Sequence, residues 1–113
     1  MPIFDTDIVQ AAVDVAKNGT RTLVAAPGAG KALWIYGVML HTNGGGTAKL
    51  QDSTPTAKTG TIPVAAYGGL FRPPRDNPQA EPYYKCAANT AFQVVLSANP
   101  DADGEIWYRT VQV

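Results

Sequence analysis

The residue types that do chemistry collect at a few places in this sequence. The first is Gly28-Ala29-Gly30-Lys31, inside AAPGAGKALWIYG. A phosphate loop needs a glycine, four residues, then Gly-Lys-Ser/Thr, because backbone amides wrap the phosphates and the hydroxyl holds magnesium. Counting back from Gly30-Lys31 puts Ala25 at the first glycine, and Ala32 stands at the hydroxyl position. The loop should also open a helix whose N-terminus faces the phosphate, whereas Lys31 leads into ALWIYGVML. The stretch reads as a connection between strands.

His41 is the single histidine, beside Thr42 and Asn43. One histidine among scattered carboxylates supplies neither the ligands of a zinc site nor the paired nucleophile of a triad, so a solvent-facing or hydrogen-bonded turn residue is expected. Asp101 and Asp103 in NPDADG suggest a calcium loop, but Glu105 follows too early for an EF-hand. A turn whose Asp side chains bond nearby amides accounts for them. Asp52-Ser53 lacks the G-x-S-x-G elbow of a nucleophilic serine. Cys86, the only cysteine, is expected as a small buried hydrophobe in a strand. No catalytic, cofactor-binding or metal-ligating residue is expected, and the chain reads as a non-enzyme.

The elements that carry these residues are short. Turn signals recur at Asn18-Gly19, Pro27-Gly28, Asn43 to Gly46, Thr59-Gly60, Gly68-Gly69, Pro73-Pro74, Asn99 to Asp101 and Asp103-Gly104. Runs rich in Val, Ile, Thr and aromatics lie between them, the signature of an all-β sandwich or barrel. Strands are expected near 12–17, 20–26, 32–42, 46–52, 59–66, 68–72, 82–87, 91–98 and 104–112. The fold expected is an antiparallel β-sandwich, jelly-roll-like, of eight or nine short strands with an N-terminal arm. Residues 1–19 would be that arm and the first strand, and 20–113 the sandwich. In the arm, Ile8, Val9, Ala12, Val13 and Ala16 repeat at helical spacing. The alternation of Val13-Asp14-Val15 favours an extended arm leading into a strand, and both forms stay open.

Alternation sets the faces. Phe92, Val94 and Leu96 share one side of their strand, with Gln93 and Ser97 on the other. Ile106 and Tyr108 oppose Trp107, Arg109 and Val111. In LWIYGVML, strict alternation puts Leu33, Ile35 and Met39 on one side and Trp34, Tyr36, Val38 and Leu40 on the other. A strand apolar on both sides of a two-layer fold needs a second cover. Either the N-terminal arm or a neighbouring subunit can supply it, and the subunit is preferred. Trp34, Tyr36, Trp107 and Arg109 are then the interface candidates.

Composition narrows the partners. Nine basic and nine acidic residues cancel, with no basic tract. A sequence-independent nucleic-acid binder normally carries a Lys/Arg-rich face, so DNA and RNA are disfavoured. Charged residues make up 16% of the chain, against about 25% on average, which hints that part of the surface meets another protein. No apolar run approaches the roughly 18 residues of a membrane span, and the N-terminus lacks the pattern of a secretory signal. No membrane association is expected. Asn18-Gly19-Thr20 fits the glycosylation triplet but reads as a turn. The segment FRPPRDNPQAEP, residues 71–82, is a proline-stiffened excursion, either a plain crossover or a contact surface. Arg72, Arg75, Tyr83 and Tyr84 are its contact candidates. The aromatics, including Tyr67 and Phe71, also admit a sugar platform, although such residues are more often core or interface.

The succession of TLVAAPGAGK at Thr22 to Lys31, GTAKLQD at Gly46 to Asp52, AAYGG at Ala65 to Gly69 and AFQVVLS at Ala91 to Ser97 resembles the small β-sandwich structural proteins of tailed bacteriophages. The resemblance covers about residues 20–113 and is carried by turns and apolar spacing. It implies a capsid decoration, or cement, protein: a homotrimer on the virion surface, made in the host cytoplasm, that binds the major capsid protein. Pro2, Ile3, Phe4 and Asp5 of the arm would be capsid contacts. Related members serve in tails or fibres, and a host-glycan-binding module is the alternative. FRPPRDNPQAEP departs from the plainer loops of that pattern.

Overall fold

Strands alternate side chains between two faces, and a half-buried strand is stable only when its apolar face meets another apolar layer. The computed structural model describes residues 8–15, 19–75, 77, 80–98 and 101–113. Within it the two apolar sets meet as the inner faces of two antiparallel sheets. Ten strands are present among the described residues: β1 (Val9–Val15), β2 (Gly19–Val24), β3 (Lys31–Thr42), β4 (Gly46–Asp52), β5 (Thr56–Ala57), β6 (Ile62–Val64), β7 (Gly69–Arg72), β8 (Tyr84–Lys85), β9 (Phe92–Ala98) and β10 (Ala102–Gln112). One sheet runs β1-β10-β3-β7, with β8 also on β3. The other runs β2-β9-β4-β5, with β6 also on β4.

Counting β5/β6 and β7/β8 each as one interrupted strand leaves eight strands, four per sheet, in the order of a jelly roll. Inside lie Leu33, Ile35, Val38 and Leu40 of β3, Ala48 and Leu50 of β4, Phe92, Val94 and Leu96 of β9, and Ala102 and Ile106 of β10. The faces expected for β9 and β10 hold, with Phe92, Val94 and Ile106 fully buried.

β3 differs from expectation, and its bonding explains why. Trp107 pairs with Gly37 but Tyr108 pairs with Ile35, so Tyr36 is an extra residue, a β-bulge. One inserted residue reverses every side chain beyond it. Leu33 and Ile35 therefore share the core with Val38 and Leu40, while Met39 is turned outward and is 37% exposed.

Other boundaries also move. Residues 9–15 are strand, paired along β10 from Val9↔Tyr108 to Val15↔Ala102. The run expected at 59–66 narrows to β6, with β5 added before it, and the run at 82–87 narrows to β8. Pro2, Ile3, Phe4 and Asp5 lie outside the described residues.

Candidate interaction face

The outward side of the β1-β10-β3-β7/β8 sheet carries most of the residues singled out from the sequence. Trp34 and Trp107 are half-buried there, and Arg109 and Val111 are buried. Trp34 lies among cations, with the Lys85 ammonium 4.6 Å and the Arg109 guanidinium carbon 5.7 Å from its ring centre. Tyr36 has no exposed surface, and its hydroxyl accepts a hydrogen bond from Arg109 Nη1 at 3.4 Å. Its side chain is hidden within a single chain, so of the four interface candidates only the tryptophans keep surface to offer a neighbour.

What hides this part of the sheet is the proline-rich excursion. The described residues 73–75, 77 and 80–83 leave the edge between β7 and β8 and fold back over the bulge. Arg75 N–H donates to the Tyr36 carbonyl (2.9 Å) and Tyr83 N–H to the Ile35 carbonyl (2.8 Å), so both legs are tied to the bulged strand. Pro74 sits on Gly37 beside Trp107: a methyl group at residue 37 would lie 2.8 Å from Pro74 Cα and 2.9 Å from Trp107 Cε3. The tab also closes on itself. The Tyr83 hydroxyl donates to the Pro73 carbonyl (2.8 Å), and Arg75 Nη1 donates to the Glu81 carbonyl (2.7 Å). The Arg75 guanidinium carbon lies 4.2 Å from the Tyr83 ring centre.

Of the four loop candidates, Arg72, Arg75 and Tyr83 therefore gather around one ring, Arg72 at 5.7 Å. Tyr84 turns the other way, packing on the core with its ring 6.2 Å from Phe92.

Beyond the tab the sheet is open and apolar. Met39 pairs with Phe71, which is 63% exposed, and Tyr67 at the preceding turn is 78% exposed. Met39, His41, Gly69 and Phe71 line a shallow depression there. Strict alternation missed Met39 because the bulge changes its side. The only signal in the sequence is a glycine next to an aromatic pair, and Gly37 is where a bulged strand and a covering loop come together.

The residues that could do chemistry lie at turns and strand ends. Gly28-Ala29-Gly30-Lys31 is a tight turn closed by Lys31 N–H to the Gly28 carbonyl (3.2 Å), with positive φ at both glycines, and it feeds strand β3. The Asn89 side chain accepts from Gly28 N–H at 3.0 Å. His41 Nδ1 lies 3.6 Å from Asp103 with both side chains more than half exposed. Asp101 exchanges hydrogen bonds with the Asn43 side chain across the same end of the sandwich. Among the described residues no group of three His, Cys, Asp or Glu is placed to hold a metal ion, and no helix is long and apolar enough to cross a membrane.

Asp52 is a polar hub, 1% exposed. One carboxylate oxygen accepts from Thr54 N–H, the Thr54 hydroxyl and Thr56 N–H; the other accepts from Ala87 N–H, and Lys58 lies 3.5 Å away. Burial alone would raise its pKa, but the bonds from Thr54, Ala87 and Thr56 together outweigh burial and hold it at about 2. Cys86 is buried just after β8, and burial pushes its thiol up to about 12, where it stays protonated and unreactive. Set against family models, curated proteins and solved structures, the chain finds no match.

Proposed function

We propose that this chain is a non-enzymatic virion structural protein of the capsid-decoration kind, acting as a homotrimer on the major capsid protein. One observation carries the reading. A jelly roll leaves one sheet face with Met39 and Phe71 uncovered, Tyr67 exposed at the turn before β7, and Trp34 and Trp107 half-buried. Clustered apolar side chains of this kind on a small, weakly charged domain favour association with another protein surface. The likeness of the turn and strand pattern to phage β-sandwich proteins supplies the kind of partner. The mechanism is linkage: a protein that binds the assembled shell, and not its dissociated subunits, stabilises the shell in proportion to occupancy. The arm residues Pro2, Ile3, Phe4 and Asp5 would extend the contact onto the capsid.

A glycan-binding module is less well supported. Arg75 covers the Tyr83 ring, and Tyr84 packs against the core, so neither offers a free face for a sugar to stack on.

The test mixes the purified protein with undecorated shells. The expected result is co-sedimentation, a raised disruption temperature, and a solution mass three times the 11.9 kDa of the chain. Paired Met39→Glu and Phe71→Glu substitutions should abolish shell binding. A monomer that leaves shells unaltered, or one retained on glycan columns through Tyr67, would overturn the reading.

A further inference from the structure

Where both sheets have interrupted edge strands, their inner faces do not close completely. Between β6 on one sheet and β7/β8 on the other lies a cavity of about 160 Å³. Val38, Leu50, Ile62 and Leu70 are among its lining residues, and its exposed lining is Phe71 and Arg72. The pocket is half open to solvent, and its volume and aliphatic walls leave room for a benzene-sized apolar guest.

The polar groups are few and of one kind. Arg72 pairs in register with the core residue Val38, which brings its side chain to the gap between the sheets. Its Nε donates to the Tyr84 hydroxyl at 3.4 Å. Among the described residues no carboxylate lies within salt-bridge distance of Arg72. Accepting that bond leaves the Tyr84 hydroxyl its own proton to give. The lining hydroxyl of Thr59 is already engaged, accepting from Leu50 N–H and donating to the Gly60 carbonyl. The cavity thus presents a cation and a hydroxyl donor side by side, next to an apolar space of defined size. An arginine fork matches a carboxylate through two parallel hydrogen bonds.

We propose that this cavity is a binding site for a small apolar carboxylate, with a ring or branched alkyl group between the sheets and its carboxylate on Arg72 and Tyr84. The site is separate from the open Met39 row and does not depend on the capsid reading.

Phenylacetate and its neutral counterpart phenylacetamide are the probes, followed through methyl NMR signals of Val38, Leu50, Ile62 and Leu70. Phenylacetate should shift these methyls saturably and bind at least about tenfold more tightly than the amide, the scale of a charge-assisted hydrogen bond. Arg72→Gln, at an exposed position, should leave the fold intact and remove that preference. Equal binding of the two probes, a preference that survives Arg72→Gln, or methyl signals that phenylacetate leaves unmoved would each overturn the proposal.

Discussion

The two interrupted edges solve the same problem in opposite ways. Each sheet ends in a strand broken into two pieces, β5/β6 along β4 and β7/β8 along β3. At the first break the chain turns inward, next to a buried charge in the preceding β4–β5 turn. Asp52 gathers the amides of Thr54, Thr56 and Ala87 while Lys58 and Thr59 both donate to the Leu50 carbonyl. At the second break it swings outward, and the described residues among 73–83, with Pro73, Pro74 and Tyr83, form a tab over the back of the sheet. A broken edge exposes unpaired backbone groups that invite other strands. One edge satisfies them with a tight turn, Lys58 and Thr59 bonding back to Leu50 beside the buried Asp52 carboxylate, the other with a flap of its own chain. The contrast separates a part that holds the fold together from a part that shapes its surface.

The hub should therefore dominate stability. Asp52→Ala leaves three amides without their acceptor and Lys58 without its counter-ion. Removing one partner of a buried charged network typically costs about 3–5 kcal/mol. A urea melt should show a loss of about 3 kcal/mol or more, with β8 and the Ala87 amide losing protection together with the core. A loss below about 1 kcal/mol would mean that the inward turn is no more structural than the tab.

Acid probes the same group without mutation. With its pKa held at about 2, below the ordinary 3.8, Asp52 binds its proton more weakly in the folded chain than in the unfolded one. Its stabilisation is fully present above pH 4 and is lost as pH falls from about 4 towards 2. The gap is worth roughly 2 kcal/mol at about 1.4 kcal/mol per pH unit. Melting temperatures measured across that range should fall, and the part of the fall due to Asp52 should vanish in Asp52→Asn. A slope shared equally by wild type and Asp52→Asn would assign the acid sensitivity to other carboxylates.

How much of this was legible in the sequence divides along the same line. The sandwich class, the β9 and β10 faces and the failure of GAGK as a phosphate loop follow from turn residues, alternation and a missing hydroxyl. All of these are local properties that a linear pattern records. The side on which Met39 lies was not legible, because it depends on the Tyr36 bulge, and a bulge is set by pairing with β10 and not by β3 alone. In the sequence Asp52 shows only as a neighbour of Ser53, since its partners at Thr54 and Thr56 are close but Ala87 is 35 positions away. The tab was visible as a proline-rich excursion. Its destination was not, since nothing in FRPPRDNPQAEP names the strand it covers.

Gly37 offers the finer test of the tab, and the smaller effect. Its backbone is ordinary strand, so an alanine there carries no conformational penalty, and the whole cost lies in space. The new methyl would sit 2.8 Å from Pro74 Cα and 2.9 Å from Trp107 Cε3. The packed indole resists moving, whereas the tab is tied to β3 through the Arg75 and Tyr83 amides. The cheapest relief is for the tab to lift. Gly37→Ala should cost about 1–2 kcal/mol, the range for modest overpacking. Hydrogen exchange should quicken at the Arg75 and Tyr83 amides while the β9 and β10 amides stay protected, and Trp107 fluorescence should shift to the red as Pro74 leaves it. If exchange instead quickens throughout the core, the tab is part of the fold's central packing, and the division between the two edges fails.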